Sequence, residues 1–225
     1  MTPPRTRPAV VAFDVNETLL DLAPVQATLI ENGEPGHLLP TVFSRTLALG
    51  FAAATAGTRC RFRDAFEAAL AQLTGLSAAQ RTAVADAFGE LSPHPDVEPA
   101  LRRLTSAGVR AVTLSQGSPG VAEAGLSRGG VTPLVERTLT TESIGVWKPD
   151  RAAYLWAAGV CDVAPQELAL VAVHSWDVHG AQRAGLTGGW CSRAESAYAA
   201  VYEPPHVQGS SLVEVVEALL ALPPA

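Results

Sequence analysis

The sequence predicts an α/β protein, a doubly wound, mainly parallel sheet with an inserted helical cap, on three observations. Five short apolar runs, at residues 9–13, 109–114, 135–139, 168–173 and 186–190, have the length and composition of strands. Segments of helical periodicity separate the later runs, and alternating strands and helices imply a parallel sheet. The alternation breaks once, between residues 22 and 92, where no convincing strand occurs.

In chain order, the run at 9–13 ends at Asp14, with Asn16 and Thr18 just beyond it. Residues 32–40 are rich in Gly and Pro and read as a loop. Residues 38–54 and 61–73 read as helices, and Ser77-Ala78-Ala79-Gln80 is a capping box opening a third helix as far as Gly89. Residues 22–92 are therefore assigned to the cap, and 1–21 with 93–225 to the sheet-bearing core. The segment 96–107 puts Val97, Leu101 and Leu104 on one face and stops at Gly108. Residues 150–158 and 178–184 read as short crossover helices. The run 168–173 is almost purely apolar, as suits a strand buried on both faces. Residues 211–222 form a closing helix, ended by Pro223 and Pro224.

Composition narrows the function. With 225 residues, 48% of them hydrophobic, the chain can bury one sizeable core. A net charge of −6 argues against nucleic acid as a partner. No apolar run is read as long enough to cross a membrane, and residues 1–8 are too short and Pro-rich for a signal peptide. Cys60, Cys161 and Cys191 are too widely spaced for a metal-ligand pair and suit a reducing cytoplasm. Of the 16 basic residues only Lys148 is Lys. A lone Lys marks a place where a compact ammonium fits and a guanidinium fork does not. Chance in an Arg-biased sequence is the ordinary alternative.

Four groups of polar residues fall at expected C-terminal ends of strands, where open α/β sheets bind ligands. They are Asp14 with Asn16 and Thr18, the cluster Ser115-Gln116-Gly117-Ser118, Lys148 before a crossover helix, and His174-Ser175-Trp176-Asp177. Each alone has a structural explanation: a turn, a helix N-cap for Asp177, core packing for Tyr154. Their joint order along the chain points to a site with Asp14 as nucleophile.

Phe13-Asp14…Thr18-Leu19-Leu20-Asp21, Leu114-Ser115-Gln116-Gly117-Ser118-Pro119, Lys148-Pro149-Asp150…Tyr154 and Trp176-Asp177…Gly180-Ala181 resemble the motifs of the haloacid dehalogenase superfamily. Within it the chain is similar to the L-2-haloacid dehalogenase branch. The resemblance spans essentially the whole length and implies a Rossmann-like core. It also implies hydrolysis of a short 2-haloacid to a 2-hydroxyacid through an ester on Asp14, without a cofactor. Lys148 would keep Asp14 ionised. Thr18, Ser115 and Gln116 would donate hydrogen bonds to the nucleophile or the substrate, and Arg45 would reach down from the cap to the halide or carboxylate. Tyr154 and Trp176 would wall the pocket, and Asp177 or His174 would orient the hydrolytic water. The branch is commonly dimeric, which suggests a homodimer.

The chain departs from the pattern at Asn16, where the branch has Tyr and the superfamily's phosphatases have a proton-donating Asp. It departs again at Gln116, Ala172 and His174. A departing halide needs no proton, so Asn16 favours dehalogenation. Two alternatives stay open. One is a Mg²⁺-dependent phosphatase with Asp14 and Asp177 as metal ligands; the other is a non-catalytic scaffold that binds a small anion or a protein.

Overall fold

The computed structural model describes residues 5–224. After β1 (Val10–Phe13) the chain makes a two-residue strand, β2 (Leu20–Asp21). It then enters a helical insert: α1 (Ala23–Glu31), α2 (Leu39–Thr55), α3 (Phe62–Leu73) and α4 (Ala78–Asp86). Strand β3 (Ser92–Pro93) returns antiparallel to β2, so the two ends of the insert are stitched side by side. The remainder alternates: α5 (Val97–Ser106), β4 (Arg110–Ser115), α6 (Pro119–Arg128), β5 (Arg137–Thr140), α7 (Arg151–Val160), β6 (Leu168–Ala172), α8 (Ser175–Ala184), β7 (Thr187–Cys191), β8 (Val207–Gly209) and α9 (Leu212–Leu220).

The main sheet has the order β5-β4-β1-β6-β7-β8, every pair parallel. Alternate residues of each strand face opposite sides, and helices cover both. Val11 and Phe13 of β1 pack with Val97, Leu101 and Leu104 of α5 and Val215 and Leu219 of α9. Val10 and Ala12 pack with Tyr154 and Ala157 of α7 and Val178 and Ala181 of α8. The expected α/β class and parallel sheet are what the structure has, and β1 lies at the centre, where the strand order reverses direction.

Several elements differ from expectation. Strand β8 contains no apolar run, only Val-Gln-Gly, and its pairing comes from β7 rather than from its own pattern. The run at 135–139 starts too early; Val135 belongs to a turn and the strand begins at Arg137. Helix α8 begins at Ser175 rather than at 178. Helix α1 lies in the insert but is not among the helices the sequence predicts there. Helix α6 went unread because glycines interrupt its pattern. Gly125 is there for close packing, since a Cβ on it would lie 2.5 Å from Leu20; just past the helix, at its C-cap, one on Gly129 would lie 2.4 Å from Pro93.

The membrane expectation also needs correction. Gly36–Thr55, a helical turn running into α2, is 20 residues long and contains an 18-residue window of mean hydropathy 1.3, which by length and composition alone is enough to cross a membrane. Reading 32–40 as loop had cut it short. In the fold Val42, Phe43, Thr46 and Gly50 of this helix are buried, with Gly50 directly against Trp147. The capping box at Ser77 is present as expected, with Ser77 and Gln80 each bonded to the other's backbone.

Candidate active site

β1 delivers Asp14 to the centre of the sheet's C-terminal edge, its N–H tied to Val171 O (3.0 Å). The loop before α7 brings Lys148 in from the side, fully buried. An ammonium has three hydrogens, and here each has an acceptor: Asp14 Oδ1 (2.8 Å), Asp177 Oδ2 (2.6 Å) and Leu114 O (2.9 Å). This explains the lone lysine, because a planar guanidinium could not serve three acceptors converging on one point.

Asp177 lies in the first turn of α8, also fully buried, and its second oxygen accepts from Tyr154 Oη at 2.6 Å. Its carboxylate therefore anchors Lys148 and Tyr154 and does not cap its helix. Tyr154 is likewise fully buried and does not wall a pocket; it supports Asp177 from below. Thr18 Oγ1 donates to Asp14 Oδ2 (2.8 Å) and accepts from Val173 N (3.1 Å), locking the Asp14 rotamer to the end of β6.

His174 completes the ring of partners. Its Nδ1 is 3.2 Å from Asp14 Oδ2 and its Nε2 is 2.9 Å from Glu17 Oε2. With a carboxylate at each nitrogen, only the imidazolium supplies an N–H on both sides. Burial alone would lower its pKa, but Asp14 and Glu17 reverse this and push it up to about 10. Burial would raise the Asp14 carboxyl, yet Lys148 and His174 prevail and hold it well below the usual carboxylate range. Asp177, buried and facing Asp14, is raised despite Lys148. Asp14 is thus an ionised carboxylate between two cations. Trp176 stacks on His174 (5.5 Å between ring centres) and meets Phe51 of α2 edge-on (5.2 Å).

Three of the candidate residues do not touch Asp14. Arg45 is exposed on α2 and donates to Gln72 Oε1 at 3.4 Å, away from Asp14. It is two residues past Phe43, which faces His174 (5.8 Å), and that spacing turns Arg45 to the outer face of the helix. Ser115 Oγ accepts from Gly117 N (2.9 Å), and Gln116 Oε1 accepts from Lys148 N (2.8 Å). Both shape the loops around Lys148 rather than touching Asp14.

Asn16 is buried, and its Oδ1 has no hydrogen-bond partner among the described residues. It lines a pocket of about 100 Å³ between the insert and the sheet, walled by Phe62, Phe66 and Phe88 and floored by Gly117 and Ser118. Arg61 lines the same pocket and pairs with Asp64 at its exposed rim (2.7 Å). The three phenylalanines and Glu17 were not identified from sequence. Phe62 and Phe66 are one helical turn apart, which reads as core. Glu17 gives itself away only in the structure, through a positive φ of 62°.

The carboxylates Asp14 and Asp177 do not fit a divalent cation. Their facing oxygens are bridged by Lys148, and the remaining Asp177 oxygen holds a buried hydroxyl.

A family model described as haloacid dehalogenase-like hydrolase matches residues 8–185. (S)-2-haloacid dehalogenase 1 of Pseudomonas sp. (strain CBS-3) is 31% identical over 137 residues, covering 61% of this chain and 60% of that protein. (S)-2-haloacid dehalogenase H-109 of Pseudomonas putida is 26% identical over 217 residues, covering 93% and 97%. The match spans about three-fifths of the length of the first two curated relatives. A solved L-2-haloacid dehalogenase superposes with a TM-score of 0.86 at 25% identity, covering 98% of this chain and 100% of the other. The L-2-haloacid dehalogenase from Xanthobacter autotrophicus with chloropropionic acid covalently bound shares the fold, with a TM-score of 0.84 at 21% identity over 95% and 99% of the chains.

Proposed function

Because the chain belongs to the haloacid dehalogenase-like hydrolases, we propose that it converts short 2-haloacids to 2-hydroxyacids through an ester on Asp14. The observation that carries this reading is the Asp14 carboxylate, held ionised between Lys148 and His174, two residues before Asn16, which lines a small aromatic pocket. An ionised carboxylate is a competent nucleophile toward carbon bearing a halogen. The C–O bond forms as the C–halogen bond breaks, and the halide leaves with the electron pair. No acid is required, which is consistent with Asn16 standing where a phosphatase would need a proton donor. Water then attacks the ester carbonyl and frees the hydroxyacid.

Lys148, Tyr154 and Asp177 act in this reading as a scaffold for the nucleophile. With Arg45 turned away, Arg61 and Arg63 are the cations that line the pocket; Arg63 is held by Glu67 and Asp86, so Arg61 takes the role of meeting the substrate carboxylate. Its exposed pair with Asp64 is weak enough to yield to a ligand. No metal is invoked, because Lys148 takes the position a bridging cation would need. A homodimer in a reducing cytoplasm belongs to the same reading, supported by family resemblance and by three unbridged thiols.

Halide release from chloroacetate, bromoacetate and 2-chloropropionate tests it. We expect turnover insensitive to EDTA and abolished in Asp14→Ala. A panel that yields no halide overturns the proposal.

A further inference from the structure

We propose that His174, positioned by Glu17, is the general base that hydrolyses the Asp14 ester, an inference that rests on the dehalogenase reading above. Asp177 is poorly placed for that duty: it is fully buried and both of its oxygens are occupied, one by Lys148 and one by Tyr154. His174 lies on the opposite side of the nucleophile. Its Nδ1 is 3.2 Å from Asp14 Oδ2, so a water attacking the adjacent carbonyl carbon is within its reach. Its Nε2 is 2.9 Å from Glu17 Oε2, which fixes the ring in the way an orienting carboxylate fixes a catalytic histidine. Phe43 (5.8 Å, 11° between planes) and Trp176 (5.5 Å, 27°) stack on the ring and set its plane.

Glu17 is placed for this at a cost. Its backbone φ of 62° is in the left-handed region that non-glycine residues avoid. Two bonds hold it there: Glu17 N donates to Leu20 O (2.9 Å), and the His94 ring lies 3.1 Å from Glu17 O. The Glu17 side chain also lines a second cleft, of about 250 Å³, together with Asp21, His94 and Arg193. That cleft is separate from the aromatic pocket, so the dyad links the nucleophile to solvent away from the substrate. The charged groups facing the ring are Asp14 from β1 and Glu17 from the loop after it. Helix α2 presents Phe43, α8 presents Trp176, and Glu195 accepts from the neighbouring Ser175 N (3.0 Å).

The arrangement times itself. In the resting enzyme both carboxylates keep the ring doubly protonated, and His174 helps to hold Asp14 ionised. Esterification removes the negative charge of Asp14 and leaves the Nδ1 proton facing only a weak, uncharged ester oxygen. That proton passes to solvent, and it is the one proton that hydrolysis of a carbon–halogen bond releases overall. The neutral ring, with Nε2–H on Glu17, then takes a proton from water as the hydroxide adds to Cγ of Asp14. Collapse breaks the ester C–O bond, and the departing alkoxide takes the proton from Nδ1. The new Asp14 carboxyl finally returns its proton to Nδ1, restoring the carboxylate–imidazolium pair.

The experiment is a rapid-quench comparison of wild type, Glu17→Gln and Glu17→Asp with 2-chloropropionate, following halide and 2-hydroxyacid separately. Mass spectrometry of the quenched protein detects the ester. Glu17→Gln is expected to release about one halide per site in a burst and then make hydroxyacid at least about 10²-fold more slowly than wild type. The ester accumulates, and the pH profile of the slow phase shifts downward because the ring is less basic. Glu17→Asp, whose residue type tolerates a positive φ, recovers part of the rate. In resting wild type, ¹⁵N-histidine NMR shows His174 protonated on both nitrogens, a measurement that needs no variant to fold. Equal slowing of halide and hydroxyacid with no trapped ester, or a neutral His174 at rest, overturns the dyad and leaves the dehalogenase reading standing. A wild type that releases no halide overturns both.

Discussion

Asp14, Thr18, Lys148, Asp177 and Tyr154 were all visible in the sequence, and they converge. What sequence could not supply was direction. A spacing places Arg45 on a helix, but only packing decides which face it occupies, and Phe43 took the inner one. Glu17 was invisible for a related reason: its importance follows from a backbone angle, which composition does not encode. Two predictions belong at this scale. Lys148→Met leaves two buried carboxylates without their shared cation and should cost about 3–5 kcal/mol in denaturant unfolding. Lys148→Arg should not restore stability or activity, since the cavity accepts a point charge and not a fork. His174 predicts an alkaline loss of stability. The fold favours its protonated form, so its contribution is complete below the free value of 6.5 and erodes as pH rises toward about 10. Thermal melts from pH 6 to 10 should fall more steeply in wild type than in His174→Asn; parallel curves would show that the imidazolium carries no stability.

Strands with apolar runs and helices with a clean stripe were legible as elements; those whose partners dictate their composition were not. Helix α6 illustrates this, because Gly125 dilutes its pattern in order to admit Leu20, and Gly129 at its C-cap admits Pro93, the two partners of the β2–β3 stitch. Strand β8 is the same case in extended form. At Gly50 the logic bears on the site. A Cβ there would lie 2.2 Å from the Trp147 ring, and Trp147 precedes Lys148 while donating through Nε1 to Cys60 O (2.6 Å). The contact joins α2, the start of α3 and the lysine loop. Gly50→Ala should therefore overpack this junction at about 1–3 kcal/mol and reduce kcat by displacing Lys148. Calorimetry with halide assays checks it, and an unchanged kcat would mean that the lysine loop is insulated from the insert.

Across the whole molecule, the parallel sheet was legible, because alternating strands and helices imply parallel pairing, whereas the order of its strands, with β1 at the centre, was not. Nor was the pocket, because it is enclosed by side chains from segments far apart in sequence. Its size sets a prediction. At about 100 Å³ it suits two- and three-carbon acids, and the rigid faces of Phe62, Phe66 and Phe88 oppose longer ones. Each methylene beyond its capacity should cost about tenfold or more in kcat/KM, read from a series running from 2-chloropropionate to 2-chlorohexanoate. Phe88→Leu should flatten that series, and a series already flat in wild type would place the reaction elsewhere. The buried lysine has a consequence of another kind. Apart from the α-amino group at the chain start, Lys148 carries the only primary amine in these 225 residues, and it is fully buried. An acylating reagent in solution meets no side-chain amine until the core opens. Each acyl group added at Lys148 then records one opening event, so this lysine doubles as a single-site chemical clock for the stability of the surroundings of Asp14.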